Sequence, residues 1–400
     1  MNVLHVIPAV APRYGGPSVA VIEMCRALER RGTATLIATT DADGAGRLDV
    51  PLGVPTLYGG VKTMFFRRVA SEAYKYSPAL AAWLSRHVRT FDMVHVHAVM
   101  SHACVAAARA CRASGVPFVL RTIGTLDEWS LGQKPLRKRL FMNIYGNQML
   151  AGAQAIHATA PGEIDALRRS FDLKHVALVP LGVDDGWLDA PLSPAPGVPP
   201  YLLAMSRLHP VKALDRLIPA FARATASPAS AHWRLVIAGD GDAAYVQTLR
   251  ALAQGTAAAG RIEFTGWSDG AAKADLLRHA SAFALPSFHE NFGLAALEAM
   301  ACGVPTIVGE GVQLASWIRD ADAGWIAAPG IDALAAALTD VMSDPIERTR
   351  RGEGGRRLAS RMRWSSVAGE LADVYEQVRA RASEAPGAEP PVARAAARAE

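Results

Sequence analysis

Short apolar runs alternate with helix-like stretches along most of this chain, and the alternation breaks once. VLHVIPAV is followed by a Gly-rich turn and a helical pattern from about Ser18 to Arg30; TATLIATT, MVHVHAV, PFVLRTI and AIHAT are further strand-like runs. APLSPAPGVPP (190–200) then interrupts the pattern. Pro at this density favours an extended connector and opposes helix or central strand. Beyond it come YLLAMSR, RLVIAGD, RIEFTG, SAFALPS and PTIVGE, with helical patterns from about Ala213, at 271–280, from Gly293 and at 332–343. Such βαβ alternation builds a mostly parallel sheet with helices on both faces. Two runs of it in 400 residues predict two doubly wound, Rossmann-like α/β domains, 1–189 and 201–364, joined by the linker 190–200. Helical spacing over 365–382 predicts a closing helix that returns to the first domain. The Ala-, Pro-, Glu- and Arg-rich stretch 383–400 predicts a disordered tail.

Composition narrows the setting. Half the residues are hydrophobic and a fifth are charged, as in a globular chain. No uncharged apolar stretch reaches the roughly 18 residues of a spanning helix. MNVLHVIPAV lacks a basic n-region and a small-residue cleavage site, so it reads as a buried first strand and not as a signal peptide. Cys25, Cys104, Cys111 and Cys302 form no CxxC pair and sit in apolar runs, the pattern of buried thiols in a reducing compartment. These features predict a cytoplasmic protein. Charge is uneven: residues 1–190 hold 21 Lys+Arg and 15 Asp+Glu, and residues 191–400 hold 21 and 22. A basic first half calls for an anionic partner, such as a membrane surface or a lipid phosphate on the inner face of the membrane. No nucleic-acid motif accompanies the Lys and Arg residues, so no nucleic-acid partner is expected.

The segment most specific for chemistry is SFHENFGLAALEAMACGVP (287–305). Glu290 ends a loop after the apolar run AFALP, and Gly293–Ala301 are mostly good helix formers, stopped by Gly303 and Pro305. A helix N-terminus just past a strand's carboxyl end offers free N–H groups and a positive dipole end, which suits a diphosphate. Glu298 lies about 8 Å along that helix, and helix side chains lean toward the N-terminus, so its carboxylate can reach a ribose seated there. Its neighbours are all apolar, which fits a solvent-facing Glu poorly.

Other constellations are weaker alone. In SRLHPVKALDRLIPAF (206–221), Arg207 and Lys212 follow the strand-like YLLAM, and two cations at a strand's carboxyl end match the two charges of a diphosphate. Gly15–Gly16–Pro17 is either a phosphate-approach turn or a plain left-handed turn. Gly239–Asp242 (GDGD) is either a nucleotide-side turn or a tight turn with an Asp helix cap. His95 and His97 share one face of an otherwise apolar strand, where they cost stability without partners. They read as satisfied core histidines or, for His97 nearer the carboxyl end, as a sugar contact. His102 and His5 are available nearby, yet no zinc spacing emerges, and no metal is expected. RTIGTLDEWSLGQKPLRKRL (121–140) joins a Gly turn, a Trp and the cations Lys134, Arg137, Lys138 and Arg139. It is either a solvated helix face or a surface that rests on an anionic membrane.

Taken together, these residues resemble the retaining glycosyltransferases of the GT-B fold known as family 4, or group 1. The resemblance runs from Gly15 to about Trp364. It rests most specifically on Glu290 and Glu298 inside HENFGLAALEAMACGVP, with SRLHPVK, IEFTGW, GGPS and HVH alongside. It implies two Rossmann-like domains facing a central cleft and transfer of a hexose, with retention, from a UDP- or GDP-sugar to a glycan or lipid-linked acceptor. The setting it implies is exopolysaccharide, capsule or lipopolysaccharide synthesis. By the same resemblance Arg207 and Lys212 hold the donor diphosphate, Gly16 lies near the phosphate, and Glu298 holds the ribose. Gly266 and Trp267 border the base. Glu290, with the backbone of Asn291, Phe292, Gly293 and Leu294, holds the donor sugar, and His97 and Glu290 lie at the reacting centre. Gly124, Thr125 and Leu126 belong to the acceptor-side loop. The nucleotide sugar is a co-substrate, and no cofactor or metal is implied. One departure stands out: where the family has Gly after SRLHPVK, this chain has Ala213, which is tolerable if the position is helical. Two other readings share the architecture: a nucleotide-sugar epimerase, which would turn over donor alone, and a nucleotide-sugar-binding protein without turnover.

Overall fold

The computed structural model describes residues 1–173, 175–189 and 199–384. The predicted linker, except its last two residues, and the predicted tail beyond residue 384 lie outside the described residues. The first sheet is built from β1 (Asn2–Ala9), β2 (Ala34–Thr40), β3 (Pro55–Tyr58), β4 (Val61–Phe66), β5 (Met93–His97), β6 (Phe118–Arg121), β7 (Ala155–Ala158) and β8 (Val176–Leu178). Its order is 8-7-6-5-1-2-4-3, parallel except for the β3–β4 hairpin at one edge. The second sheet, fully parallel, takes β9 (Tyr201–Met205), β10 (Arg234–Ala238), β11 (Ile262–Gly266), β12 (Ala282–Leu285), β13 (Thr306–Gly309) and β14 (Trp325–Ala327) in the order 11-10-9-12-13-14. In both sheets the order reverses beside the first strand, which opens a crevice at the carboxyl ends.

The strands are short and almost wholly buried because helices cover both faces. In the first domain Leu4, Val6, Val94, Val96, Leu120 and Ile156 pack on one side with Leu80, Leu84 and Cys104. The opposite side begins apolar, with Val3, Met93, Val119 and Ala155. Toward the carboxyl ends it turns polar, with His5, His95, His97, Arg121 and His157, all buried. The period of two along each strand sorts residues this way.

The helix Trp364–Glu384 buries Trp364, Val367, Leu371, Tyr375 and Val378. It shares one continuous core with Ala20, Met24 and Leu28 of the helix Gly16–Arg30. Gly182 sits so close to the Trp364 ring that a Cβ there would lie 2.4 Å from it, and Val183 pairs with Arg363 beside this crossing. The chain after the second sheet is thus fastened to the first domain by apolar burial.

Candidate active site

The strand β12 ends at Leu285, and the helix Leu294–Ala301 starts nine residues after it. Gly293 caps that helix at φ 103°, and a Cβ there would lie 2.9 Å from Val312. Only glycine makes this turn without strain. The first N–H groups of the helix face the cleft, where Gly293, Leu294 and Ala295 are on the wall. Glu298, one turn in, is 6% exposed and lines the same space. Its Oε1 accepts from Lys273 Nζ at 2.6 Å. Glu290 lies across from it and is ion-paired with Lys212.

Arg207 and Lys212 arrive on the loop after β9. A short turn, Pro210–Lys212, delivers Lys212 to the cleft wall and leaves it 9% exposed. The next residue, Ala213, is left-handed at φ 54°. That corrects the expectation of a helical position: Ala213 is the N-cap of Leu214–Ala224, and the family glycine is explained by this backbone. Alanine carries a strain of about 1–2 kcal/mol there. Arg207 crosses to the first domain, where its side chain lies 3.5 Å from where a Cβ on Gly15 would stand. Gly15 is itself left-handed, at φ 73°. In GDGD, Asp242 caps a helix through Ala244 N and Tyr245 N, while Gly239 lies on the cleft wall. The helix-cap reading of that run therefore holds, and Gly239 brings its first residue beside the cleft.

The cleft between the sheets encloses about 1060 Å³ of space open to solvent. Of the residues expected at the site, it gathers Gly16, Arg207, Lys212, Trp267, Glu290, Gly293, Leu294 and Glu298. Gly266, Asn291 and Phe292 stand behind the wall: Gly266 O accepts from Gly239 N, Asn291 bonds to Thr159, and the Phe292 ring packs against Trp317. Among the acceptor-side residues, Gly124 is buried and Thr125 half-buried. Leu126 is a correction as to its side chain: it stands in the loop after β6, but the side chain is fully buried in the apolar core of the first domain.

His97 is the second correction. It is fully buried and does not line the cleft, because strand alternation turns it to the covered face of the sheet. There it joins a chain of side chains whose proton positions follow from the two ends. The Val179 carbonyl only accepts, so His157 donates from Nε2 at 2.8 Å, and its Nδ1 takes the proton of His95 Nε2 at 3.2 Å. His95 Nδ1 then accepts from the Tyr375 hydroxyl at 2.7 Å. At the other end Arg121 only donates; its Nη1 stands 3.5 Å from His97 Nδ1, so His97 donates from Nε2 to His5 Nδ1 at 3.0 Å. His5 Nε2 is left without a partner. Burial first, and then neighbouring cations, hold all four imidazoles neutral: His5 and His157 are pushed down to about 3, and His95 and His97 lie well below the ordinary value. Ring nitrogens of His5, His95 and His97 come within 4.8 Å of one another, a spacing a metal could use. Those nitrogens are largely committed to each other and to Tyr375, however, and the Arg121 guanidinium beside them opposes a second cation.

Sequence reasoning missed three residues at this site. Lys273 pairs with Glu298 from a helix 25 residues away, and nothing in its local pattern separates it from a surface lysine. His289 and Asp127 meet across the cleft at 2.8 Å, with Trp129 stacked on the His289 ring. Both lay inside segments already singled out, but pairing across domains leaves no trace in spacing.

Comparison with known proteins agrees with this geometry. Residues 14–187 match the family described as Glycosyltransferase Family 4, and residues 190–358 match Glycosyl transferases group 1. D-inositol 3-phosphate glycosyltransferase of Xylanimonas cellulosilytica is 28% identical over 393 residues, covering 91% of this chain and 92% of its own. A GDP-mannose-dependent alpha-(1-6)-phosphatidylinositol dimannoside mannosyltransferase of Mycobacterium tuberculosis is 39% identical over 171 residues, 42% of each chain. Among solved structures, sucrose-phosphate synthase from Thermosynechococcus elongatus superposes with a TM-score of 0.78 at 19% identity, covering 95% of this chain and 100% of its own. Anabaena HepE in complex with UDP-glucose gives 0.75 at 19% identity, with 94% and 100% covered. With both halves matched in order, the chain belongs to the group 1 glycosyl transferases with a family 4 first domain, and it has the GT-B fold.

Proposed function

We propose that this chain transfers a hexose, with retention of configuration, from a UDP- or GDP-sugar to a hydroxyl of a glycan or lipid-linked acceptor. The observation that carries this reading is the convergence of Arg207, Lys212, Glu290, Glu298 and one helix N-terminus in a single cleft. The diphosphate sits against the helix N-terminus and the two cations, which stabilise the charge it gains on leaving. Glu298 keeps its second oxygen for a ribose hydroxyl while Lys273 holds the first. Trp267 offers a face to the base. Glu290, neutralised by Lys212, is better suited to hold a sugar hydroxyl than to act as a nucleophile. Same-face attack fits this arrangement: the acceptor hydroxyl bonds to the anomeric carbon as the diphosphate departs, and its proton passes to the departing phosphate oxygen.

The relatives' names speak of inositol phosphate and phosphatidylinositol dimannoside acceptors. Both are phosphate-bearing polyols, and the basic first domain favours an anionic acceptor of that kind, free or lipid-linked. Surface polysaccharide synthesis is the broader setting in which such a transfer serves. Calorimetry against UDP-, GDP- and ADP-sugars, followed by anomeric analysis of the product, tests the proposal. One donor should raise the melting temperature and require an acceptor for turnover. Conversion of donor alone to an epimer, or an inverted product, overturns it.

A cytoplasmic site of action beside the membrane completes the reading. No helix among the described residues is long and apolar enough to cross a bilayer. Trp129, Leu136, Leu140 and Ile144 are nonetheless exposed, Leu136 at 82%, beside the exposed Lys134, Arg137 and Arg139. Apolar side chains ringed by cations suit an anionic interface. Vesicles containing anionic phospholipid should pellet the protein at low salt and release most of it at about 0.5 M salt, where charges are screened. Failure to bind anionic vesicles at low salt would remove the membrane from the proposal, and equal binding to neutral vesicles would remove the role of the cations.

A further inference from the structure

We propose that Glu163 is a positioning residue that sets the acceptor-side loop in register with the donor-sugar motif. Glu163 lies in the first turn of the helix Pro161–Ser170 and is 4% exposed. Its Oε1 accepts from Thr122 Oγ1 at 2.6 Å and Gly124 N at 3.4 Å. Its Oε2 accepts from Thr159 N at 2.7 Å and Thr159 Oγ1 at 3.0 Å. The Thr159 hydroxyl, having given its proton to Glu163, accepts from Asn291 Nδ2 at 3.2 Å. One carboxylate therefore links the loop after β6 to the residue that follows Glu290, across the cleft.

The loop needs such a hold. Ile123 and Gly124 are both left-handed, at φ 51° and 63°. For a β-branched residue that is an outlier, kept only where the surroundings over-determine it. Gly124 is also pressed against the donor motif: a Cβ on it would lie 2.8 Å from Asn291 Oδ1. Capping the helix Pro161–Ser170 does not require these contacts. The bonds to Thr122 and Gly124 reach back about 40 residues, and they serve the loop rather than the helix. Hydrogen bonds to a carboxylate are stronger than neutral ones. The buried guanidinium of Arg121 lies close enough to share its field. Asn291 and the loop are thus held in one register through Thr159 and Glu163.

This inference rests on the glycosyltransferase reading of the cleft and on the loop 122–126 facing the acceptor. Its test uses the full chain with Glu163→Gln, which keeps the shape but replaces an acceptor oxygen by an N–H₂ group facing donors. Four quantities are measured: donor affinity by calorimetry, donor hydrolysis without acceptor, the transfer kcat, and the acceptor KM. Transfer kcat/KM for acceptor should fall about 10- to 100-fold. Donor affinity and hydrolysis should stay within about twofold of wild type. In a double-mutant cycle on transfer, Glu163→Gln and Asn291→Ala should be strongly non-additive, as members of one hydrogen-bond chain. Wild-type transfer, equal loss of hydrolysis and transfer, or additive effects would each overturn the proposal. Should Glu163→Gln fold poorly, Thr122→Val removes a single loop bond and carries the same readouts. Failure of the functional reading itself is distinguishable, because the unaltered chain would then transfer no sugar to an acceptor with retention.

Discussion

Lys212→Ala is expected to lower kcat/KM for sugar transfer by about 10²- to 10³-fold, the usual cost of removing one group that stabilises a developing charge. Two losses combine. The leaving diphosphate gives up one of its two cations, and the carboxylate of Glu290, which Lys212 neutralises, is left partly buried and unpaired. Arg207 cannot compensate, because its side chain is committed to the opposite rim beside Gly15. Lys212 is held on a short turn rather than in the apolar core, so the melting temperature should move little. Steady-state kinetics with both substrates varied, together with a thermal melt, checks this. A stable variant that loses less than about tenfold in kcat/KM would place the diphosphate somewhere other than between Arg207 and Lys212.

The second large effect concerns acid. Four fully buried imidazoles are neutral in the folded chain, with His5 and His157 pushed down to about 3. Unfolding returns each to its ordinary value near 6.5, so below that pH the unfolded chain binds more protons. Stability from these groups is therefore complete above about pH 6.5 and is lost as pH falls toward the folded values. Each histidine contributes a slope of up to about 1.4 kcal/mol per pH unit. With four acting together, about 11 kcal/mol is lost between pH 6.5 and 4.5, enough to exhaust a stability in the lower or middle part of the usual range of about 5–15 kcal/mol. Circular dichroism melts between pH 4.5 and 8 should show a steep fall in melting temperature below pH 6.5. The proton uptake on unfolding, read from the pH dependence of stability, should approach four near pH 5. An uptake below one would mean that the histidines are solvated in the native state. His95→Phe should reduce the uptake by about one proton, at some cost from the lost Tyr375 bond.

Much of the architecture was legible in sequence because the relevant signals are local. Alternating apolar runs and helical periods need only neighbouring residues, and the βαβ repeat then leaves few ways to arrange the strands. The donor side was legible for a related reason. Glu290, Gly293 and Glu298 lie within one loop-helix unit, so helix geometry alone carries Glu298 toward the N-terminus. Arg207 and Lys212 stand at a strand's carboxyl end, where parallel sheets place ligands.

The errors have equally physical causes. His97 read as a sugar contact because its strand ends at the cleft. Strand alternation put it on one face, but whether that face is open or covered depends on the helix Trp364–Glu384, whose Tyr375 reaches His95 from 280 residues away. Leu126 stands in the loop as expected, but its side chain turns into the core instead of toward an acceptor. Ala213 was expected to be helical and is left-handed, because the turn that delivers Lys212 ends there.

The sequence by itself determined the two doubly wound domains, the break between them, and the donor motif with its cations, since each follows from backbone periodicity and from charges close together along the chain. Only the tertiary structure decided which residues meet at the cleft: Lys212 with Glu290 and Lys273 with Glu298 within the second domain, and Asp127 with His289 and Asn291 with Thr159 and, through it, Glu163 between the two domains. Such pairs join segments 25 to 162 residues apart. They exist because apolar burial folds each sheet with its helices and docks the two domains in one arrangement, and that energy is spread over many side chains, none of which marks its partner in sequence.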